Sequence, residues 1–239
     1  MGTFYPVGTK QKDRFSYYQK FFKTVELNSP FYHLPPRQTF EKWKADVPND
    51  FVYAVKASRF ITHMKKLNDA GDSLTRLLDN AAGLDEKLSI ILFQLPPNWE
   101  VDIERFKIFL EKLPKGSRYT FEFRNPTWYN DEVYSLLKKY NCAFCIYELA
   151  GHLSPYESRQ TMYTLGCMAR AINIREVIIM MYCTSGQPGA KSGQRKVKMY
   201  MFILITTRKV TQPLTLLHYR KLLPCSIKKS PIGDFLFFL

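Results

Sequence analysis

Polar side chains follow short apolar runs at several points in the first half of the chain. Glu122 and Arg124 lie two residues apart in TFEFR, so on a strand they would point to the same side. Glu26 and Asn28 occupy the same kind of position in TVELN. A carboxylate beside a guanidinium or an amide can transfer protons or bind an anionic or polyhydroxy ligand. These residue types and spacings predict a polar site.

Four further residues fit the same pattern. Lys56 and Arg59 end the run FVYAVKASR, Gln94 ends SIILFQ, and His63 follows in SRFITH. Together they would supply an ammonium, a guanidinium, an amide and an imidazole. Charged pairs at such positions also form purely structural networks, and His63 is either a base or ligand or a loop histidine with no role. Both interpretations stay open at this point.

The elements that position these residues alternate regularly between strand and helix. Apolar periodicity predicts strands over residues 24–32, 51–59, 89–97, 118–124 and 142–149, with helices over residues 35–47, 72–87, 102–114 and 130–140. Such alternation implies parallel strands joined by crossover helices, either as a (β/α) barrel or as an open doubly wound sheet. No GxGxxG or P-loop follows any strand, which disfavours a nucleotide-binding sheet. In a barrel, the carboxyl ends of the strands would bring the polar residues to one mouth.

Two other motifs have a chemical and a structural interpretation. Cys142 and Cys145 form a CxxC, but they lie in an alternating apolar strand with no second pair, which favours core packing. Trp128 and Tyr129 either line a sugar or base pocket or pack before a helix. No metal-ligand spacing is present, so we predict no metal site and assign no cofactor.

Composition limits the class of protein. The 239 residues contain no run of 18 apolar residues, and the first ten lack the pattern of a secretory signal. The five cysteines are too few and too scattered for a disulfide framework. We therefore expect a cytoplasmic protein without a membrane segment.

The net charge of +14 is unevenly distributed along the chain. Residues 1–157 hold 22 of the 35 Lys and Arg and 19 of the 21 Asp and Glu, which leaves 13 basic and 2 acidic residues for 158–239. A basic tail that binds nucleic acid is one interpretation. The basic residues of this tail follow no helical face, however, and residues 1–157 are close to neutral. Nucleic acid is therefore not the expected partner, and a small polar or anionic ligand is.

At TVELNSPFY, VKASRFITH, LFQLPP and FEFRNPTW the sequence resembles the YecE-like family, domain of unknown function 72, over residues 2–157. The resemblance implies a TIM-barrel-like fold with a polar mouth. Carried over by motif, this mouth would contain the eight candidate residues, namely Glu26, Asn28, Lys56, Arg59, His63, Gln94, Glu122 and Arg124.

The sequence departs from the family pattern at both ends of this region. The family opens with a strand similar to IGTSGWSYxxW ahead of the segment that matches Gly2–Pro6, and it continues after the fifth strand with VTADxVYxRLHGPG and DVYVYFNND. None of these is present as written. We therefore expect an incomplete barrel over residues 1–157, without its first, seventh and eighth strands.

A shift of reading frame accounts for the missing continuation. Joining the last base of each codon to the first two bases of the next, from Glu157 onward, permits VTADDVYIRLHGPGNKYQG, and the same offset over Lys196–Thr207 permits GKDVYVYFDND. Some overlaps allow a single outcome, since Met162 followed by Tyr163 must give GTA, a valine codon. We therefore predict that residues 158–239 are an out-of-frame tail, to which no domain is assigned. The alternative is a divergent C-terminal domain.

Two functions remain for the intact protein, and the sequence does not decide whether it is an enzyme. In the first, an enzyme carries out acid–base or hydrolytic chemistry on a polar small molecule. Glu122 or Glu26 would be its acid or base, and Arg124 or Lys56 would hold an anion. In the second, a binding module uses Lys56, Arg59 and Arg124 without catalysis. The truncated and frameshifted chain is expected to be non-functional as written, and its oligomeric state is not indicated.

Overall fold

Five parallel strands form one sheet in chain order: β1 (Thr24–Leu27), β2 (Val52–Lys56), β3 (Leu88–Leu95), β4 (Tyr119–Phe123) and β5 (Ala143–Phe144). The structure is a computed structural model that describes the backbone of residues 5–149, 152–153, 176–184, 198–206 and 237–238, and the side chains of residues 5–145. The predicted parallel strands are thus confirmed.

One helix precedes β1, and the others lie between successive strands, as the alternation predicted. The helices are α1 (Arg14–Tyr18), α2 (Ser29–Tyr32), α3 (Arg37–Ala45), α4 (Gly71–Ala81), α5 (Ile103–Glu111) and α6 (Asp131–Lys139). Side-chain caps set the start of the last two. The Arg105 amide donates to Asp102 Oδ1 at 3.1 Å, and the Val133 amide donates to Asn130 Oδ1 at 3.0 Å.

The sequential strand order distinguishes between the two predicted architectures. A doubly wound sheet reverses its strand order at a switch point, whereas a (β/α) barrel adds each strand beside the previous one. The order β1-β2-β3-β4-β5 contains no reversal. The described part of the chain is therefore a mixed α/β, TIM-barrel-like arrangement.

The two faces of the sheet have different surroundings. Val55, Phe93 and Phe121 point toward the helices and belong to the main apolar core. Their neighbours in the chain, which include Leu92 and Thr120, point to the opposite side because side chains alternate along a strand. This second face is also buried, and it carries the polar candidates at its carboxyl end.

Three predicted element boundaries were wrong. The strand predicted over 24–32 ends at Leu27, and Ser29–Tyr32 forms α2 instead. Pro30 explains this, since proline lacks an amide proton for a strand ladder but fits the first turn of a helix. The helix predicted over 72–87 ends at Ala81 and is followed by a 3₁₀ segment. The strand predicted over 142–149 is interrupted at Cys145.

A second sheet follows this interruption. It contains β6 (Ile146–Leu149), β7 (His152–Leu153), β8 (Glu176–Thr184), β9 (Lys198–Thr206) and β10 (Phe237–Phe238), in the order β10-β9-β8-β6-β7. β8 and β9 pair antiparallel, and they approach β5 and β1, respectively, at the two ends of the parallel sheet. The incomplete barrel remains a prediction. No helix in the described residues is long and apolar enough to cross a membrane.

Candidate functional site

Strand register places four of the predicted residues on one face of the parallel sheet. Residues paired across neighbouring strands point to the same side, as do residues two apart on one strand. Glu26 pairs with Ala54, two residues before Lys56. Lys56 pairs with Leu92, two residues before Gln94, and Gln94 pairs with Glu122. This face, at the carboxyl ends of β1 to β4, is called the mouth below.

Glu122 is the most deeply buried member of the mouth, with 0% of its surface exposed. Its Oε1 accepts a hydrogen bond from Gln94 Nε2 at 2.9 Å and another from Arg124 Nε at 2.5 Å. The Arg124 side chain is 18% exposed, so the pair reaches from the interior toward the opening. The predicted convergence of carboxylate, guanidinium and amide is therefore present.

Glu26 and Lys56 form the second ion pair of the mouth. Lys56 Nζ lies 4.0 Å from Glu26 Oε1, and the two side chains are 11% and 1% exposed. The same ammonium lies over the Phe31 ring, 5.1 Å from its centroid. Burial of an ion pair is costly unless each charge is compensated, and here each charge is close to its counterion.

His63 lies at the edge of the mouth in a π-helical turn, Phe60–Met64. Its ring meets the Phe31 ring edge-on, with centroids 5.1 Å apart. Burial lowers the pKa of His63 below 6.5, and the cationic side chains of Lys56, Arg59 and Arg124 lower it further. The imidazole is therefore held neutral among cations that come from β2, from the turn itself and from the end of β4.

The neutral His63 ring has a defined orientation. Thr62 Oγ1 lies 2.9 Å from His63 Nδ1 and 3.3 Å from the Ser58 carbonyl oxygen. A hydroxyl carries one proton, so it donates to the carbonyl when the ring proton is on Nδ1 and to Nδ1 when the ring proton is on Nε2. In the tautomer with its proton on Nδ1, the lone pair of His63 is on Nε2, where it can accept a proton.

Asn28 and Arg59 occupy the outer part of the site. Asn28 is half-buried just after β1, and its backbone carbonyl oxygen accepts a hydrogen bond from the Phe31 backbone amide at 3.1 Å. Arg59 is exposed, and within residues 5–145 its side chain makes no hydrogen bond or ion pair. All eight predicted residues thus lie at or beside the carboxyl ends of the strands.

The sequence did not indicate Phe31, which contacts both Lys56 and His63. Its run was predicted as a strand, which hid the helical turn that aims the ring inward.

The two alternatives for CxxC and Trp128 are resolved. Cys142, Cys145 and Trp128 are buried, as core packing predicted, and burial raises the pKa of the Cys142 thiol to about 12. Trp128 is 0% exposed and cannot line an open pocket.

Metal chemistry receives no support from side-chain clustering. Among the described residues, no three or more His, Cys, Asp and Glu side chains are grouped so that they could hold a metal ion. The chemistry that the mouth can perform is proton transfer by carboxylate or imidazole, together with recognition of a polar or anionic group.

The sheet order and the polar mouth define the chain as a TIM-barrel-like α/β protein. A family model described as "Protein of unknown function DUF72" matches residues 1–198, so the chain belongs to the DUF72 family. The resemblance seen over residues 2–157 is thereby confirmed. The match runs past Glu157 and includes part of the predicted out-of-frame tail.

Curated relatives cover part of the chain. UPF0759 protein YunF of Bacillus subtilis is 28% identical over 138 residues, which are 54% of this chain and 49% of YunF. UPF0759 protein YecE of Escherichia coli K12 is 26% identical over 113 residues, 47% of this chain and 42% of YecE. The chain therefore matches about half the length of these relatives.

Solved structures show a similar fold. A DUF72 family protein from Thermotoga maritima matches with a TM-score of 0.53 and 26% identity, covering 60% of this chain and 58% of that one. One from Enterococcus faecalis matches with a TM-score of 0.48 and 20% identity, covering 57% and 59%. The Thermotoga structure supports the TIM-barrel-like assignment.

Proposed function

We propose that the intact protein is an enzyme that carries out acid–base or hydrolytic chemistry on a polar small molecule. The observation that carries the proposal is the environment of Glu122, a fully buried carboxylate that accepts hydrogen bonds from Gln94 and Arg124. Hydrogen-bonded, water-excluded carboxylates at the mouth of a barrel are suited to proton transfer. Glu26 is the second candidate acid or base.

Lys56 and Arg124 take a different part from the one the sequence suggested. Each of them faces a carboxylate of the mouth, so their first role is to pair with Glu26 and Glu122 and to hold these side chains in position. A substrate oxygen that approaches either ion pair would accept hydrogen bonds from Lys56 or Arg124 alongside the carboxylate. His63, in the tautomer with its proton on Nδ1, is placed to accept a proton on Nε2 at the edge of the same site.

Replacement of Glu122 by Gln tests the proposal. The variant keeps the shape of the side chain and an oxygen for Gln94, but it removes the charge and the titratable proton. In the full-length protein, screened against phosphoryl, glycosyl and acyl substrates, E122Q should abolish the turnover that the parent shows. Glu41→Gln, on the outer helix α3, is the matched control. Undiminished turnover by E122Q would refute the role of Glu122.

The cationic surroundings of His63 favour a second candidate, a module that binds an anionic ligand or nucleic acid without catalysis. Lys56, Arg59 and Arg124 would then act through charge alone. Binding to nucleic acid would weaken steeply with salt concentration, because bound cations of the protein displace counterions from phosphates. A ligand that binds with little salt dependence would exclude this form of the module.

We further propose that residues 158–239 are translated out of frame and that the chain as written lacks the activity of the intact protein. The support is the shifted reading of two separate segments, Glu157–Glu176 and Lys196–Thr207, into family-like sequence. The nucleotide sequence of the locus tests this directly. One offset frame should encode the missing strands. A locus without such a frame would refute it.

A further inference from the structure

Within residues 5–145, the mouth carries one more positive than negative side chain. Its two carboxylates, Glu26 and Glu122, are each paired with one cation, Lys56 and Arg124. Arg59 is the third cation, and within residues 5–145 it has no carboxylate partner. Among the side chains of residues 5–145, Arg59 is therefore a cation at the rim without a carboxylate partner, while Lys56 and Arg124 each face one carboxylate.

The lowered pKa of His63 indicates the electrostatic effect of these cations. The side chains that lower its pKa, after burial itself, are the three cations Lys56, Arg59 and Arg124. These three cations make a positive contribution to the potential at the imidazole, and a negative group bound there would be stabilised by the cations that disfavour His63 protonation.

Exposed apolar side chains lie on the two segments that carry Phe31 and His63. Tyr32 is 78% exposed and follows Phe31, the ring that contacts His63. Phe60 and Met64 are 39% and 67% exposed and belong to the π-helical turn that carries His63. Arg59 directly precedes this turn, and exposed aromatic and thioether groups of this kind can take up the apolar part of a ligand.

The segment that presents Arg59 and His63 is held in an unusual conformation. The π-helical turn is followed by three non-glycine residues with left-handed backbones, Lys66 (φ 47°), Leu67 (φ 63°) and Asp69 (φ 43°). Such conformations cost free energy and concentrate at functional sites. Leu67 is nevertheless buried in the core, so the packing of the turn fixes the strained segment in place.

On these grounds we propose that Arg59 is the anchor for one carboxylate or phosphate group of a small substrate whose apolar part rests on Tyr32, Phe60 and Met64. The guanidinium presents its donors in a planar fork that matches both kinds of oxyanion. The proposal rests on the proposed function, since it names the class of substrate that this mouth receives. It assigns the anion to Arg59 and leaves Lys56 and Arg124 with their carboxylates.

Binding of four simple probes to the 239-residue chain tests the proposal. They are inorganic phosphate, phenyl phosphate, acetate and benzoate. Their binding is measured by calorimetry and by NMR of the His63 ring protons. Phenyl phosphate and benzoate should bind more tightly than phosphate and acetate because of the apolar rim. If phosphate and phenyl phosphate bind more tightly than acetate and benzoate, the preferred oxyanion is a phosphate; the reverse order identifies a carboxylate. The bound anion should raise the pKa of His63, because it offsets the surrounding cations.

Two substitutions complete the test. Arg59→Gln should weaken the binding of phenyl phosphate or benzoate by about 10- to 100-fold, as expected for loss of a charge-assisted contact. Arg76→Gln, at an exposed position of α4, removes the same charge elsewhere and should leave binding unchanged. Arg59→Lys keeps the charge but loses the fork, and should bind with intermediate affinity. Unfolding followed by tryptophan fluorescence verifies that the variants fold.

The outcomes separate this proposal from the proposed function. Equal affinity of the parent and R59Q, or no binding of any of the four probes, would overturn the role of Arg59 and would leave the role of Glu122 intact. Turnover that survives E122Q, together with loss of binding in R59Q, would overturn the acid–base role and retain the anion anchor.

Discussion

Arg124 donates from Nε to Oε1 of Glu122, two residues earlier on the same strand, and the contact joins the interior of the sheet to its rim. The carboxylate is 0% exposed, whereas the guanidinium side chain keeps 18% of its surface in solvent. Gln94 donates to the same oxygen from the neighbouring strand. Glu122 is therefore compensated by a charged side chain that still reaches solvent at the opening.

This relationship predicts that Glu122 and Arg124 are energetically coupled. Glu122→Gln should lower the free energy of unfolding by about 1.5–3 kcal/mol, the range for a hydrogen bond to a charged group. The Glu122→Gln/Arg124→Gln double variant should lose less than the two single variants together, with a coupling of about 0.5–3 kcal/mol.

Urea denaturation followed by tryptophan fluorescence provides the measurement. All three tryptophans, Trp43, Trp99 and Trp128, lie within residues 5–145, so the signal reports on the part of the chain that holds the mouth. Strictly additive effects of the two substitutions would mean that the contact makes no net contribution to stability.

Much of this arrangement follows from local sequence pattern. The alternation of apolar and polar residues fixed which side chains share a face, and the parallel order then placed strand ends together. The polar ends of β1 to β4 were predictable for this reason. In β3, for example, Gln94 is next to the last residue of a mainly apolar strand, so its position at the carboxyl end of the sheet follows from the sequence.

The remaining features depend on contacts between distant parts of the chain. The π-helical turn at Phe60–Met64 has no local signal of its own, because a wide turn is stabilised by what packs against it. Phe31 contacts Lys56 and His63, which are 25 and 32 residues further along the sequence. The pairing of Lys56 with Glu26 likewise leaves Arg59 as the cation of the mouth that has no carboxylate partner within residues 5–145, a distribution that residue types alone did not reveal.

His63 predicts a specific pH dependence of stability. Its pKa is lower in the folded protein than the ordinary value of 6.5, so the unfolded chain takes up a proton first as the pH falls. The contribution is therefore fully present above pH 6.5, and it is lost as the pH falls through the lower pKa of the folded state. His63→Gln should remove this part of the profile.

Urea denaturation at a series of pH values from 7.5 to below the folded pKa measures the effect. The difference between the parent and H63Q should decline across this interval. His33→Gln, at the exposed end of α2, provides the comparison for a histidine outside the mouth. A difference that stays constant with pH would show that His63 titrates alike in both states.

Trp128 is predicted to be structural rather than a ligand contact. Its indole Nε1 donates to the Trp99 carbonyl oxygen at 2.8 Å, and its ring stacks on Phe123 with centroids 5.0 Å apart. Trp128→Phe removes the donor, leaves a buried carbonyl unsatisfied and opens a small void. The free energy of unfolding should fall by about 1–3 kcal/mol.

The binding experiment above provides the second readout for this variant. Affinity for phenyl phosphate should be unchanged in W128F once folding is verified, because the side chain has no exposed surface. A loss of affinity for phenyl phosphate at unchanged stability would contradict the prediction and would indicate that Trp128 contacts the ligand.

Gly83 is predicted to be required for the contact between the 3₁₀ segment Ala82–Lys87 and α3. A Cβ at this position would lie 2.8 Å from the Arg37 carbonyl oxygen and 3.1 Å from Phe40 Cβ. The first of these is backbone and cannot move aside as a side chain would. Gly83→Ala should therefore destabilise the protein by about 1–3 kcal/mol, as in other overpacked sites.

Gly71→Ala is the matched control, since a Cβ there meets nothing within 4 Å and the residue begins α4. This variant should change the free energy of unfolding by less than about 0.5 kcal/mol. Both variants can be compared in one urea series by tryptophan fluorescence. If Gly83→Ala were as stable as Gly71→Ala, α3 and the 3₁₀ segment would not be in the close contact that positions the helical layer behind β2.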